Sequence, residues 1–148
     1  MQKITVVGAG SWGTALAILL GEKGYEVSLW CRRQELANQI NSIHENSQYL
    51  PKSKIPAKVI ATSSVKDASE NSSLIIFAVP SAFLRSIAKS FSKFISKNIV
   101  FLHVIKGMEE HTGKTMSKIL KEELGKDIKI AVMSGPNHAE EVASKLPL

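Results

Sequence analysis

The chain is poor in the residues that build metal centres and disulfides. It has one cysteine in 148 residues, Cys31, which rules out an internal disulfide and the cysteine-rich zinc frameworks. That usage fits a reducing, cytoplasmic setting. Histidine is scarce too: there are four, none in an H-x-x-x-H or paired His/Cys spacing. His44 falls in a polar stretch, His111 among charged residues, His103 within a strand pattern, and His138 in the first turn of a last helix. None of them suggests a metal site or a catalytic triad. No run reaches the ~20 apolar residues that a membrane span needs. Lys3 ahead of apolar residues imitates a signal peptide, but Gly8, Gly10 and Gly13 interrupt the run at once. A cytoplasmic protein is expected. Repeats, low-complexity tracts and linkers are missing as well.

The charge is one-sided, at +6, but no stretch forms a basic arm. A nucleic-acid partner would rest on net charge alone. Lys89, Lys93 and Lys97 are spaced four apart, which places them on one helix face, either as a solvated face or as help for a small anion.

With 44% apolar residues the chain has enough for one folded domain with a full core. Strand and helix patterns alternate. "KITVVG" reads as a buried first strand, and Thr14 to Lys23 as a helix closed by Gly24. "EVSLWC" is a second strand and "RRQELANQINSI" a helix. His44 to Lys58, polar and containing Pro51 and Pro56, reads as an excursion loop. "VIAT" is a third strand, and "SVKDAS" a brief helix capped by Ser63 or Ser64. "SLIIFAVP" is the most apolar strand and is expected at the centre. Ser81 can cap a helix running to about Ile95, with Phe83, Leu84, Ile87, Phe91 and Phe94 on one side. "NIVFLHVI" is a fifth strand, followed by a helix from Thr112 or Gly113 that bears Met116, Ile119, Leu120 and Leu124. "KIAVMSGP" is a sixth strand before a helix start at "NHAEEVA". This alternation implies right-handed crossovers and a doubly wound, mainly parallel α/β sheet.

Between the first strand and its helix, "GAGSWG" places Gly8, Gly10 and Gly13 in the pattern G-x-G-x-x-G. Gly8 permits a tight turn, Gly10 lets backbone approach a pyrophosphate, and Gly13 lets the helix pack close to the strand. The helix N-terminus offers N–H groups and partial positive charge to phosphates. In this context the motif points to a Rossmann-like dinucleotide-binding domain, the alternative being a structural turn with no ligand. An NAD site usually has an acid at the end of the second strand, for the ribose hydroxyls. Here "LWCRR" has none, and Arg32 and Arg33 stand there instead, suited to a 2′-phosphate. NADPH is therefore expected in preference to NADH, with NAD still possible. The alternative is that both arginines only open the next helix.

Ligands in open α/β sheets bind at the carboxyl edge. Three further strand ends carry unusual residues: "FAVPS" with Pro80, "HVIKGME" with Lys106, and "SGPNHAEEV" with Gly135, Pro136 and Asn137. Lys106 could reach a carbonyl or phosphate and stabilise a developing alkoxide, or could be an ordinary surface lysine. "SGPNHA" could be a backbone anion site with Asn137 as cap, or an ordinary helix cap.

Together these residues resemble the N-terminal domain of the bacterial NAD(P)-dependent glycerol-3-phosphate dehydrogenases. The family's glycine loop, G-x-G-[SN]-W-G-T-A-L-A, is met by "GAGSWGTALA", and its W-x-R-R by "WCRR". Its N-x-x-Y-L-P is met by "NSQYLP", and "VPS", "KGME" and "SGPNHAEEV" complete the set over essentially the whole chain. The resemblance implies cofactor contacts from Gly8, Gly10, Ser11, Trp12, Gly13, Arg32, Arg33, Tyr49, Pro80, Lys106 and Ala139. It implies Lys106 as the catalytic group here, and Lys106, Gly135 and Asn137 on the substrate. The family often has Ser or Thr where Asn137 stands, although a backbone contact needs neither. The activity implied is hydride transfer between NAD(P)H and dihydroxyacetone phosphate, making sn-glycerol 3-phosphate for phospholipids, in a homodimer. A second, mostly helical domain with the general-acid/base Lys and the main phosphate-binding Arg is implied beyond this segment. These 148 residues are therefore expected to bind cofactor without efficient turnover. Ketopantoate reductases and β-hydroxyacid dehydrogenases share glycine loops and an arginine after the second strand, but are not expected to combine all these motifs. A dinucleotide-binding sensor without catalysis is the alternative class.

Overall fold

The apolar runs and helical periods assemble as a sheet between two helical layers. The structure is a computed structural model that describes residues 2–96, 98–135 and 137–145. Its strands are β1 (Lys3–Val7), β2 (Glu26–Trp30), β3 (Glu45–Asn46), β4 (Leu50–Lys54), β5 (Val59–Thr62), β6 (Ser72–Phe77), β7 (Val100–His103) and β8 (Lys129–Val132). Its helices are α1 (Ser11–Glu22), α2 (Gln34–Ile43), α3 (Val65–Ser69), α4 (Leu84–Phe91), α5 (Met116–Leu124) and α6 (Ala139–Ala143). Six strands form one sheet in the order β5-β2-β1-β6-β7-β8, every pair parallel. The sheet is doubly wound and Rossmann-like, as expected.

Side chains alternate across each strand, but both faces are covered, so the strands read as apolar runs. Val6, Leu29 and Ile76 point into one core with Leu16, Leu36 and Ile40 of α1 and α2. Val7, Trp30, Ile75 and Phe77 point into the other, with Leu84 and Phe91 of α4 and Ile119 and Leu120 of α5. There the Phe91 ring meets Trp30 and Phe77 edge-on, at centroid distances of 5.6 and 5.9 Å. The most apolar strand, β6, lies next to β1 at the centre. From β1 the chain winds outward through β2 to β5, then returns to β6 and winds the other way. β1 and β6 stay paired to their carboxyl ends, but the connections that leave them run to opposite sides of the sheet, and a crevice opens between those connections.

Several local expectations are corrected. The excursion holds an antiparallel hairpin of β3 and β4. Its signal is hidden because β3 is only two residues long and its buried member is a polar one, Asn46. Helix α1 starts at Ser11, three residues earlier than expected, and α2 at Gln34, which leaves both arginines in the preceding turn. After Pro80 a short 3₁₀ turn (Ser81–Phe83) precedes α4, which ends at Phe91; Ser81 caps nothing, and Phe83 and Phe94 are exposed. The buried stripe is Leu84, Ala88 and Phe91, a narrower face than the sequence suggests. Lys93 thus lies beyond α4, while Lys97 and Pro136 fall outside the described residues. Helix α5 begins at Met116, capped by the Thr115 hydroxyl, which accepts from Lys118 N–H. The Thr112 hydroxyl instead bonds within the turn before α5, donating to Glu109 and accepting from Lys114 N–H at 3.3 Å, and Gly113 turns with φ +64°. The capping position of α6 is His138, not Asn137. Ser64 does cap α3, and His103 is buried, its Nε2 2.9 Å from Ser117 Oγ.

The chain's tightest passage is where α1 meets the loop after β1. A Cβ on Gly13 would stand 1.8 Å from the Gly8 carbonyl oxygen, while one on Gly10 would meet nothing within 4 Å. Gly13→Ala is expected to cost at least about 2 kcal/mol of unfolding free energy, because backbone must move. Gly10→Ala should change it by less than about 1 kcal/mol. Urea unfolding of both variants checks this; equal losses would contradict the packing assignment.

Candidate functional site

The crevice starts at the glycine loop. Gly8 turns with φ +114°, and a Cβ there would lie 2.5 Å from the Ala78 carbonyl oxygen, so the first turn needs glycine for conformation and for space. Ala78 N–H donates to the Val7 carbonyl at 2.8 Å, which holds the end of β6 against the loop. Gly10 occupies the capping position of the 12-residue α1, with no side-chain cap and no acid in the first turn. The helix end therefore presents its N–H groups and partial positive charge to the crevice.

A cleft of about 290 Å³ runs from this loop along the end of β2. Gly8, Ala9 and Gly10 form its floor, with Cys31, Arg32, Arg33 and Tyr49 on one side and Val79, Pro80, Phe83 and Ile87 on the other. No Asp or Glu is among the residues lining it. The walls are apolar, and the charge at the rim is cationic. Such a cleft suits an elongated anion with flat apolar parts. Burial pushes the Cys31 thiol up to about 11, against the pull of nearby Arg33, so it stays a neutral, inert thiol.

The hairpin holds this loop in shape. Asn46 is fully buried; its Nδ2 donates to the Ala9 carbonyl (2.9 Å) and to Thr14 Oγ1 (2.8 Å). Its Oδ1 accepts from Tyr49 N–H at 3.3 Å. Ser11 Oγ donates back to the Tyr49 carbonyl at 2.5 Å. Reading the motifs missed Asn46 and Thr14 as parts of the site. The signal was present, since Asn46 opens "NSQYLP" within an otherwise featureless polar stretch.

Further along the carboxyl edge, Trp12, Lys106, Ser134, Gly135 and Asn137 line a second depression of about 230 Å³. A third shares Trp12 and Lys106 with it and Val79 and Pro80 with the first. Lys106 thus stands beside the indole that follows the glycine loop. Ala139 stands apart: it is 8% exposed, in the core under α1, and lines neither cleft. Gly13 and the Ser11 side chain support the loop without lining the cleft beside it.

Beyond Lys106 the chain is held by charge. Gly107 turns with φ +95°, and Glu109 receives Arg85 through two nitrogens at 2.6 and 2.8 Å. Arg85 also reaches Glu122 (3.0 Å) and Glu123 (2.6 Å) of α5. The Arg85 guanidinium, then the Thr112 hydroxyl, hold the Glu109 carboxyl down to about 2.

Comparison with known proteins places the chain in a family. The family model described as NAD-dependent glycerol-3-phosphate dehydrogenase N-terminus matches residues 3–148. The chain belongs to that family. It is 44% identical to the glycerol-3-phosphate dehydrogenase [NAD(P)+] of Bacillus subtilis (strain 168), over 99% of this chain and 43% of the relative. The crystal structure of glycerol-3-phosphate dehydrogenase from Coxiella burnetii superposes with a TM-score of 0.94 at 31% identity, over 99% of this chain and 45% of the other. A ketopantoate reductase from Ralstonia eutropha JMP134 shares the fold, with a TM-score of 0.68 at 23% identity, over 90% of this chain and 40% of that one. The chain therefore spans less than half the length of the curated dehydrogenases it matches. Among the described residues, no helix is long and apolar enough to cross a membrane, and no cluster of His, Cys, Asp and Glu could hold a metal ion.

Two outcomes follow for this member of the family. Asn46→Ala leaves the buried Ala9 carbonyl and Thr14 hydroxyl without their donor, and should cost about 1–3 kcal/mol in urea unfolding; Asn46→Asp, which keeps the shape but loses the donor, should cost no less. A lowered carboxyl pKa adds stability above the ordinary 4.5 and loses it as pH falls toward about 2. Glu109→Gln should therefore flatten the fall in melting temperature across that window, and a slope unchanged from wild type would refute the assignment.

Proposed function

We propose that this chain is the dinucleotide-binding part of an enzyme that interconverts dihydroxyacetone phosphate and sn-glycerol 3-phosphate with NADPH, NADH also serving. The observation that carries the reading is a row of three depressions along the carboxyl edge, each sharing lining residues with the next. An uncapped helix end and two arginines occupy one half of it, and Lys106 beside Trp12 the other. The cationic, acid-free cleft fits a dinucleotide carrying an extra ribose phosphate. Family membership and the printed names of the relatives support the same substrate pair.

On this reading the first-turn N–H groups of α1 and the open face of Gly10 hold the pyrophosphate, as a Cβ-free loop over a helix end is suited to do. Arg32 and Arg33 take the ribose phosphate, and Tyr49, Pro80 and Trp12 flank the dinucleotide. A bound nicotinamide supplies the hydride that turns a ketone into a secondary alcohol. Lys106 donates a hydrogen bond to the ketone oxygen and stabilises its developing negative charge. The backbone at Gly135 and Asn137 orients the phosphate end of the substrate. The remaining acid/base and phosphate-binding groups belong to the part of the enzyme this chain does not span. Alone, the chain holds dinucleotide without efficient turnover. We place the whole enzyme in the cytoplasm as a homodimer, where its product feeds phospholipid synthesis.

Joined to the remaining length of the Bacillus subtilis relative, this segment should support NADPH-dependent reduction of dihydroxyacetone phosphate and leave ketopantoate untouched. Lys106→Met in that chain should lower kcat by about 10²-fold or more, as loss of one electrostatic donor does. Failure of the unmutated segment to bind either dinucleotide, followed by tryptophan fluorescence, would sink the reading.

A further inference from the structure

The hairpin touches both ends of the cleft beside the glycine loop. Through Asn46 it grips the glycine loop, and through Gln48 it reaches the opposite rim, where the Gln48 side-chain oxygen accepts a hydrogen bond from a terminal nitrogen of Arg33. Arg33 occupies the capping position of α2, and its backbone is already tied down: its carbonyl accepts from Ala37 N–H at 3.3 Å and from the Cys31 thiol at 3.5 Å. What is left to fix is the guanidinium, at the end of a long exposed stem with much rotamer freedom. Gln48 fixes it from a turn that Asn46 and Ser11 hold against the loop.

The chemistry of the partner matters as much as its position. An amide oxygen is neutral, so it orients Arg33 without cancelling its charge. The bond uses one of the five guanidinium N–H donors. The residues lining the cleft include no carboxylate that could neutralise it. Arg85 illustrates the opposite arrangement, being surrounded by Glu109, Glu122 and Glu123. An arginine held by a carboxylate is spent as an anion receptor; one held by an amide is pre-set for an anion.

We propose that Gln48 is a specificity-determining residue, which sets the preference for the 2′-phosphorylated dinucleotide by holding the Arg33 guanidinium in place through a neutral acceptor. The inference rests on the dinucleotide reading given above and adds a residue that acts through another. Gln48 is a positioning residue, and the ordering entropy it removes in advance is recovered only by a ligand bearing the extra phosphate.

The test uses the 148-residue chain, with NADPH and NADH titrated separately by quenching of Trp12 and Trp30 fluorescence. Gln48→Glu keeps shape and acceptor but places a negative charge against Arg33. It is expected to lower the NADPH-over-NADH affinity ratio by about tenfold or more, as pairing and repulsion both oppose the phosphate. Gln48→Met keeps the length and loses the acceptor, and should lower the ratio by about threefold. Gln48 is exposed at the turn, so melting curves near wild type are expected for both. A ratio within twofold of wild type in both variants, or a ratio that rises, overturns the inference and leaves the dinucleotide reading standing. A wild-type chain that binds both dinucleotides equally also overturns it. A wild-type chain that binds neither overturns the dinucleotide reading and this inference with it.

Discussion

Everything at this site depends on a contact that only hydrogen atoms allow. The Gly13 α-carbon packs so close to the Gly8 carbonyl that a side-chain carbon would stand 1.8 Å from the oxygen. That approach seats the first turn of α1 on the loop. It aligns the helix axis with the crevice and leaves Gly10 facing open space. On the other side, Gly8 lies against the Ala78 backbone, so β6 is drawn to the same point. The connections after β1 and β6 part there because the strand order reverses between the two strands. The crevice is a product of topology, and the open backbone of its floor depends on Gly8 and Gly10, with Gly13 seating the helix behind it.

A loop without side chains cannot hold its own shape, and the hairpin supplies the restraint. Asn46 has two donors and one acceptor to satisfy with its own side chain fully buried, and it finds partners in Ala9, Thr14 and Tyr49. A buried amide that is fully paired specifies one arrangement, since any slip would leave its donors unmet. The same turn reaches Arg33 through Gln48, so one small hairpin sets the geometry of both ends of the cleft. At the far end of the row, the carboxylates around Arg85 play a similar part for the turn after Lys106.

The six strands of the large sheet and their order of appearance were legible because their apolar runs are bounded by Gly, Pro or charge. The glycine spacing, the missing acid after β2 and the two arginines were legible for the same reason: each is a local pattern with one physical purpose. Boundaries were less so. Phe83 and Phe94 look like core in a helical projection, yet they are exposed, because α4 ends at Phe91 after starting as a 3₁₀ turn. Thr112 looks like a helix cap, but its oxygen accepts from Lys114 N–H within a turn and Thr115 caps α5 instead, a choice between nearby hydroxyls that local sequence cannot rank. The β3–β4 hairpin escaped because its decisive interactions are long-range and polar, from Asn46 to residues 32 and 37 positions away.

By itself the sequence determined a doubly wound sheet, a phosphate-suited loop after the first strand, and a cationic end to the second. These follow from periodicity and from residue types whose backbone or charge admits few alternatives. Tertiary structure alone decided that Lys106 shares a depression with Trp12, that Asn46 is a buried clasp and that Arg33 is held by an amide instead of an acid. Those facts depend on which strand ends become neighbours in space, and that adjacency is created by the crossover from β5 back to β6. No local pattern encodes it.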